Sequence, residues 1–359
     1  MKKFLVLAVA AMMAAITIKA QRIQVVDSDG FAIPLVTILN EDGIMIGTTN
    51  LEGVFDDLQG VDKVTLTHVA FKPQTVTVAN LPSFGGTEGG RSITMEDNNY
   101  NMAEIVVKPK PYIYVEVFYR VYVYRNDSLC YFLSGIMPNA YDPQKKKLEH
   151  GSYMQAYVEY YPKAGAALTW GARAQRYGAG LTGGLISKKR LKDEYFVTTD
   201  DSNPSHWVYS NPEGKLGQFV RSGSQVRLTL DAGRMQMYVN KAKGETKMLQ
   251  KRQEAGYEYQ YTRVYSKNDE DEFDRTNFIM DSDHWEYNDK KSHVKFIIEN
   301  YAADHGYMDK DDFKARKKEL KETFKNVKTI QGLEDYERQH NIPELSNVTR
   351  QSIQKLKHW

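Results

Sequence analysis

Four residues in the last third of the chain are of types that bind metals: Asp281, Asp283, His284 and His293. A zinc site gathers three or four such donors, usually through short recognisable spacings. Here no spacing completes a coordination motif, and the same residues read as a polar turn. The acidic run Asp269-Glu270-Asp271-Glu272 with Asp274 lacks the alternating acids, central glycine and distal glutamate of a calcium loop, so a solvated loop is expected. None of His68, His150, His206, His284, His293, His305, His340 or His358 has a glutamate three residues on, and there is no HExxH, so zinc-peptidase chemistry lacks its ligands. The segment from Gly178 to Gly184, GAGLTGG, carries neither a full GxGxxG nor the lysine of a phosphate loop, and reads as a loop or tight bend. Cys130 is the one cysteine, so no internal disulfide forms. Serines, histidines and aspartates are present, but their proximity is not legible along a chain. No catalytic, cofactor-binding or metal-binding residue is therefore assigned, no cofactor is expected, and the chain reads as non-enzymatic.

The elements that would position such residues begin after an export signal. Lys2 and Lys3 precede an uncharged apolar run from Phe4 to Ile18, and Ala20 is small enough to stand before a cleavage point. Residues 1–20 are read as a signal peptide, and no cysteine follows for lipid attachment. Removing Lys2, Lys3 and Lys19 from the chain's 48 basic residues leaves 45 against 46 acidic ones. A near-neutral chain offers no electrostatic footprint for nucleic acid. No later run approaches the roughly twenty apolar residues of a membrane helix, so no transmembrane span is expected in the mature chain.

Residues 21–107 read as short strands between turns. RIQVVD is followed by Ser28-Asp29-Gly30; PLVTIL by Glu41-Asp42-Gly43; IMIGTT by Asn50-Leu51-Glu52-Gly53; then come VFDDL, KVTLTHVAF, TVTVANL and, after a loop from Ser83 to Gly90, RSITM. About seven short strands at this spacing suggest a small sandwich. The residues Val26-Asp27, Gly30, Pro34, Ile38, Gly47-Thr48-Thr49-Asn50, Gly53, Phe55, Val69, Phe71-Lys72 and Ala103-Glu104-Ile105-Val106-Val107 together resemble the carboxypeptidase-regulatory-like domain common in envelope proteins of Bacteroidetes. Ala70 departs from it where the family usually has glycine. The resemblance covers residues 22–107 and implies a transthyretin-like accessory sandwich without peptidase activity.

Pro109 and Pro111 make residues 108–111 a stiff linker. Eleven of the chain's 24 tyrosines then fall between Tyr112 and Tyr161, marking residues 112–308 as a Tyr-rich β domain. YIYVEVFYRVYVY alternates Ile113, Val115, Val117, Tyr119, Val121 and Val123, a core face, with Tyr112, Tyr114, Glu116, Phe118, Arg120, Tyr122 and Tyr124. The second face, with its Glu116 and Arg120 pair, suits a half-buried surface. Its aromatics are read as packing in preference to a site for sugar, peptide or lipid. Asn126-Asp127 is a hairpin turn into SLCYFL. SYMQAYVEYY, ALTWGARAQRY and EYQYTRVYS are further strands, QVRLTL and RMQMYVN are expected to pair across Asp231-Ala232-Gly233, and residues 278–301 look mixed. Residues 309–359 are helical, with Phe313, Leu320, Phe324 and Val327 in one stripe and Ser346 as the cap of a last helix.

The expected fold class is thus mainly β: an N-terminal seven-stranded transthyretin-like β-sandwich, then an antiparallel β-rich domain capped by C-terminal amphipathic helices. The functional expectation is a non-catalytic exported envelope protein, periplasmic or outer-membrane-associated, acting as a binding or assembly module toward another envelope protein or a surface glycan. A periplasmic carrier of an apolar ligand and a hydrolase with an unrecognised active site are the alternatives. The mature protein should begin at Gln21; intact mass of protein purified from the envelope checks this, and a mass that retains residues 1–20 contradicts it.

Overall fold

The computed structural model describes residues 22–58, 60–82, 90–98, 112–145, 147–151, 154–160, 198–199, 205–235, 237, 256–267, 277–289, 292–325, 327 and 329–356. The signal peptide, positions 83–89 of the Ser83 to Gly90 loop, the segment Ala103 to Val107, the 108–111 linker, ALTWGARAQRY, GAGLTGG and the acidic run 269–274 lie outside them.

The strands are β1 (Arg22–Val26), β2 (Thr37–Leu39), β3 (Met45–Thr48), β4 (Val54–Phe55), β5 (Lys63–His68), β6 (Phe71–Thr77), β7 (Gly90–Thr94), β8 (Tyr112–Arg125), β9 (Ser128–Asp142), β10 (Lys147–Gly151), β11 (Met154–Tyr160), β12 (Thr198–Thr199), β13 (His206–Asn211), β14 (Gly214–Ser222), β15 (Gln225–Leu230), β16 (Glu258–Ser266), β17 (Phe278–Asp289) and β18 (Ser292–Met308). Three helices follow: α1 (Lys310–Phe324), α2 (Ile330–Gln339) and α3 (Asn347–Lys355). The protein is mainly β with C-terminal helices.

The N-terminal strands form two small sheets, β4-β1-β7 and β3-β2-β5-β6. The remainder form one eleven-stranded sheet in the order β10-β9-β8-β18-β17-β16-β15-β14-β13-β12, with β11 also paired to β9. Among the described residues the strand pairings of this large sheet are antiparallel, whereas β1 and β7 run parallel, and the first long strand, β8, lies beside the last, β18. The β8–β9 turn is made by Asn126 and Asp127 with φ of 47° and 65°, the left-handed pair that a two-residue hairpin needs and that these residue types tolerate.

Three sequence expectations are corrected. The described residues of RMQMYVN, Arg234, Met235 and Met237, are helical and not part of a strand paired with β15, whose partners are β14 and β16. Instead Asp231 Oδ1 accepts from Arg234 N at 2.9 Å and its carbonyl from Met235 N at 3.1 Å, so residues 232–235 turn as a helix. The mixed stretch 278–301 is two long paired strands, β17 and β18. Finally, the aromatic face of β8 is not half-buried: from Ile113 to Tyr124 every residue on both faces is buried.

The reason lies in what covers that face. Phe118, Tyr122, Phe132, Ile136, Met280, Ile297 and Tyr301 from the sheet share one core with Leu320 and Phe324 of α1, Leu333 and Tyr336 of α2, Ile353 of α3 and the apolar residues of the N-terminal sheets. Asp309 caps α1 by accepting from Asp311 N and Asp312 N, and Ser346 Oγ caps α3 by accepting from Thr349 N at 3.0 Å. The stripe Phe313, Leu320 and Phe324 is buried, and Val327 packs against its edge. The N-terminal module joins the same core. Gly43, at φ +78°, passes so close to α3 that a Cβ there would meet Ser352 Oγ at 2.0 Å. Among the described residues, no helix is long and apolar enough to cross a membrane.

Leu320 is 2% exposed within this shared core. Leu320→Ala should therefore cost roughly 2–5 kcal/mol, seen as a lowered urea midpoint with an unchanged slope. A loss below about 0.5 kcal/mol, the range of an ordinary surface substitution, would show that α1 is not part of the folded core.

Candidate functional site

Alternation along the strands divides the polar residues of the large sheet between its faces. On the helix-covered face of β8 sit Glu116 and Arg120. On the opposite face sit Arg263, Asp281, Asp283 and Asn300, joined through the β16–β17–β18 ladder: Arg263 lies opposite Asp281, Asp281 opposite Asn300, and Tyr261 opposite Asp283.

Glu116 and Arg120 do not pair with each other. Glu116 is fully buried. Its carboxylate accepts from Tyr336 Oη at 2.6 Å, from Arg316 Nε at 3.0 Å and Nη2 at 3.2 Å, and from Tyr114 Oη. Arg120, also buried, reaches α2 instead. Its Nη2 lies 2.8 Å from Glu337 Oε1 and donates to Pro343 O at 2.6 Å, while Nη1 lies 3.7 Å from Glu299 Oε2. Glu299 also accepts from Tyr122 Oη at 3.0 Å. Burial raises the Glu299 carboxyl from its ordinary range, against the pull of Arg120. A carboxylate with four donors and a guanidinium with three acceptors are committed to holding helices on the sheet.

Beside Arg120 a cavity of about 30 Å³ lies between the N-terminal module, the sheet and the segment before α3, lined by residues including His68, Tyr122, Glu299, Tyr301 and Leu345. It has room for about one or two waters. His68 Nδ1 accepts from Ala70 N at 3.1 Å, so the ring carries its proton on Nε2, which is buried without a partner.

The opposite face holds the second polar group. Asp281 Oδ1 accepts from Asn300 Nδ2 at 2.6 Å, and Asp283 Oδ1 accepts from Tyr259 Oη at 3.0 Å. The guanidinium of Arg263 lies 4.3 Å from the centre of the Tyr261 ring. Burial, with the neighbouring charge of Asp283, pushes the Asp281 carboxyl up to about 7, and burial raises Asp283 as well. Tyr259 stacks on Trp285 at 3.9 Å, and Tyr257 meets the same indole edge-on at 5.7 Å.

These positions correct the reading of Asp281, Asp283 and His284 as a polar turn: all three are mid-strand and buried. Strand alternation also separates them. Asp281 and Asp283 share a face, His284 points to the other, where it lies across from Ile297 and contacts Ser282 Oγ at 3.0 Å. His293 sits at the start of β18, with Nε2 3.1 Å from Glu286 Oε2 and Nδ1 3.1 Å from Asn288 Oδ1. The four candidate ligands are therefore not brought together. Cys130 is buried, donates to Val123 O at 3.3 Å, and has its thiol pushed up to about 11 by burial, so it is a poor nucleophile. Sequence reasoning missed Arg263 and Asn300. The signal available was a lone charge on the aromatic face of EYQYTRVYS.

The acid pair and the buried histidines give stability an opposed pH dependence. His68 is held well below its ordinary value and His284 is lowered to about 3, each first by burial. The unfolded chain binds protons at these sites that the native one refuses, so their contribution is lost as pH falls from about 6.5 toward 3. Asp281 runs the other way. Its native carboxyl keeps a proton up to about pH 7 that the unfolded one has released, so stability falls as pH rises from about 4 to 7. Asp281→Asn should remove this alkaline loss, on the order of a few kcal/mol, making the variant more stable relative to the parent at pH 8 than at pH 4. Urea titrations across that range check it, and parallel stability curves would contradict it.

No family model matches the chain, and no curated protein matches it.

Proposed function

We propose that the chain is a non-catalytic exported envelope protein, periplasmic or outer-membrane-associated, that serves as a binding or assembly module toward another envelope protein or a surface glycan. Its N-terminal part is taken as a seven-stranded transthyretin-like sandwich of the carboxypeptidase-regulatory-like kind. Support for the sandwich comes from the three-stranded and four-stranded sheets, from Gly30 and Gly53 at φ of 83° and 70°, and from the burial of Val69 and Phe71.

One observation carries the functional reading: the two charged groups of β8 beneath the helices, Glu116 and Arg120, are each held by several partners. Glu116 has Tyr114, Tyr336 and Arg316, and Arg120 has Glu337 and the Pro343 carbonyl. A general acid or nucleophile must be free to change its protonation or bonding in the reaction. The space beside Arg120 is about 30 Å³, far below the several hundred Å³ that a pocket for a small molecule occupies. The helices thus act as a filled cover on the sheet, and the surfaces they complete are what the protein presents.

Crosslinking in intact cells followed by mass spectrometry should yield a discrete envelope partner, and native mass spectrometry without detergent should give the bare chain mass. A stoichiometric apolar adduct would replace this reading with the carrier. Turnover of ester or peptide substrates by the purified chain would replace it with the hydrolase.

A further inference from the structure

We propose that the β5–β6 hairpin is seated on the large sheet by a joint that acid opens, with His68 as its sensor. The inference goes beyond the binding-module reading and does not depend on it.

His68 is the last residue of β5, is 7% exposed, and lies opposite Phe71 across the tight turn of Val69 and Ala70. Its Nδ1 accepts from Ala70 N at 3.1 Å and closes that turn. The turn is tied on its other side as well, where Ala70 O accepts from Asn98 N at 3.0 Å. A ring that accepts through Nδ1 carries its one proton on Nε2. An acid proton must therefore enter at Nδ1. There it turns the acceptor into a donor aimed at another donor, and the buried N–H of Ala70 loses its partner.

The surroundings do not suit the imidazolium either. The guanidinium of Arg227, from β15, lies 4.9 Å over the ring of Phe71, which is itself 5.2 Å from the imidazole. Burial comes first in holding the ring neutral, followed by the charge of Arg227 and by His284 of β17. Arg120 of β8 stands on the wall of the cavity that His68 lines. The nearby acids are engaged elsewhere. Asp27 pairs with Arg227 at 2.8 Å, and Asp97 lies within reach of the same charge. Glu299 of β18 accepts from Tyr122 Oη at 3.0 Å, with Arg120 3.7 Å away. Glu344, Tyr124 and Tyr301 complete the wall. Among the described residues no carboxylate bonds to His68.

The cavity, about 30 Å³, lies where three parts of the chain meet: the hairpin at Thr67 and His68, the sheet at Arg120 and Glu299, and the segment before α3 at Pro343 and Leu345. A void forfeits contacts on one side, so packing holds this joint less firmly than a filled one. It also leaves room for water beside the ring, by which a proton enters. The closed joint refuses a proton that the open one binds near pH 6.5. Opening is therefore favoured as pH falls below about 6.5, by up to about tenfold per unit. Lifting the hairpin uncovers the cavity wall and changes the surface that the protein presents.

The test is hydrogen exchange on the full mature chain at pH 7.5 and pH 4.5, with labelling times scaled to the intrinsic exchange rate at each pH. Protection of residues 63–77 should fall at least about hundredfold at the lower pH, which lies two units below the open-state value. His68→Asn keeps an acceptor for Ala70 N, since asparagine bonds to the backbone two residues on, and it does not titrate. Its loss of protection on acidification should be smaller by about the same hundredfold. A merely structural role predicts a variant that is less protected at both pH values with the pH dependence intact, and that result overturns the proposal. A second measurement needs no variant. At pH 4.5, low non-denaturing urea should leave hairpin exchange unchanged, because a local opening exposes little surface, while exchange in β8 and β18 rises with urea. A hairpin that exchanges in step with β8 and β18, with the same urea dependence, opens only by global unfolding and also overturns the proposal.

Discussion

The buried carboxylate of Glu116 organises the helix-covered half of the molecule. Taken from water alone, such a charge would cost several kcal/mol and would instead be neutralised. Here donors from three elements meet it: Tyr114 on its own strand, Arg316 from α1 and Tyr336 from α2. None of the three is spare, since removing one partner of a buried pair typically costs about 3–5 kcal/mol. Four residues along β8, on the same face, Arg120 repeats the arrangement with opposite sign, binding Glu337 of α2 and the carbonyl of Pro343. Two points on one strand thereby fix where both helices lie. The apolar contacts around them, Phe118 stacked on Tyr336 at 5.7 Å and Phe324 edge-on to Tyr336 at 5.0 Å, supply burial. The ionic contacts supply position, because their geometry allows few alternatives.

The N-terminal module is held by a similar device. Asp27 is buried, and its Oδ1 accepts from Phe31 N at 2.8 Å, shaping its own turn. Its Oδ2 pairs with Arg227 of β15 at 2.8 Å, and the same guanidinium lies 4.9 Å over the ring of Phe71. Gln218 donates to Ala32 O at 2.8 Å beside it, and Ser222 to Asp29 at 2.7 Å. The turn that opens the module is therefore also its contact with the large sheet. One core then runs from the N-terminal sheets through the sheet face to the helices, so a cavity made beneath α1 is felt across all three.

Both faces of the large sheet bury charged groups whose matching is incomplete. On the covered face Arg120 Nε and Glu337 Oε2 are likewise buried without a hydrogen-bond partner, although the other atoms of both side chains are bound. On the other, Asp281 retains an unused oxygen and a raised pKa beside Asp283.

Local features were legible because local physics decides them. The Asn126-Asp127 turn, the Asp309 and Ser346 caps, the stripe of Phe313, Leu320 and Phe324 and the strand EYQYTRVYS each depend on residues within a few positions, and each is present. Alternation along β8 also marked Glu116 and Arg120 as sharing a face. What alternation could not decide was their partners. They are four residues apart and of opposite sign, yet each is bound to a group about two hundred positions away, Arg316 and Glu337. Asp281, Asp283 and His284 look like a turn because three polar residues in a short span usually meet water. Only the pairing of β17 between β16 and β18 buried them and sent His284 to the opposite face. The sequence by itself determined the periods, caps and turns of this protein, since these follow from backbone preference and neighbouring side chains. The tertiary structure alone decided which charges were buried and what met them, since that depends on elements brought together from opposite ends of the chain.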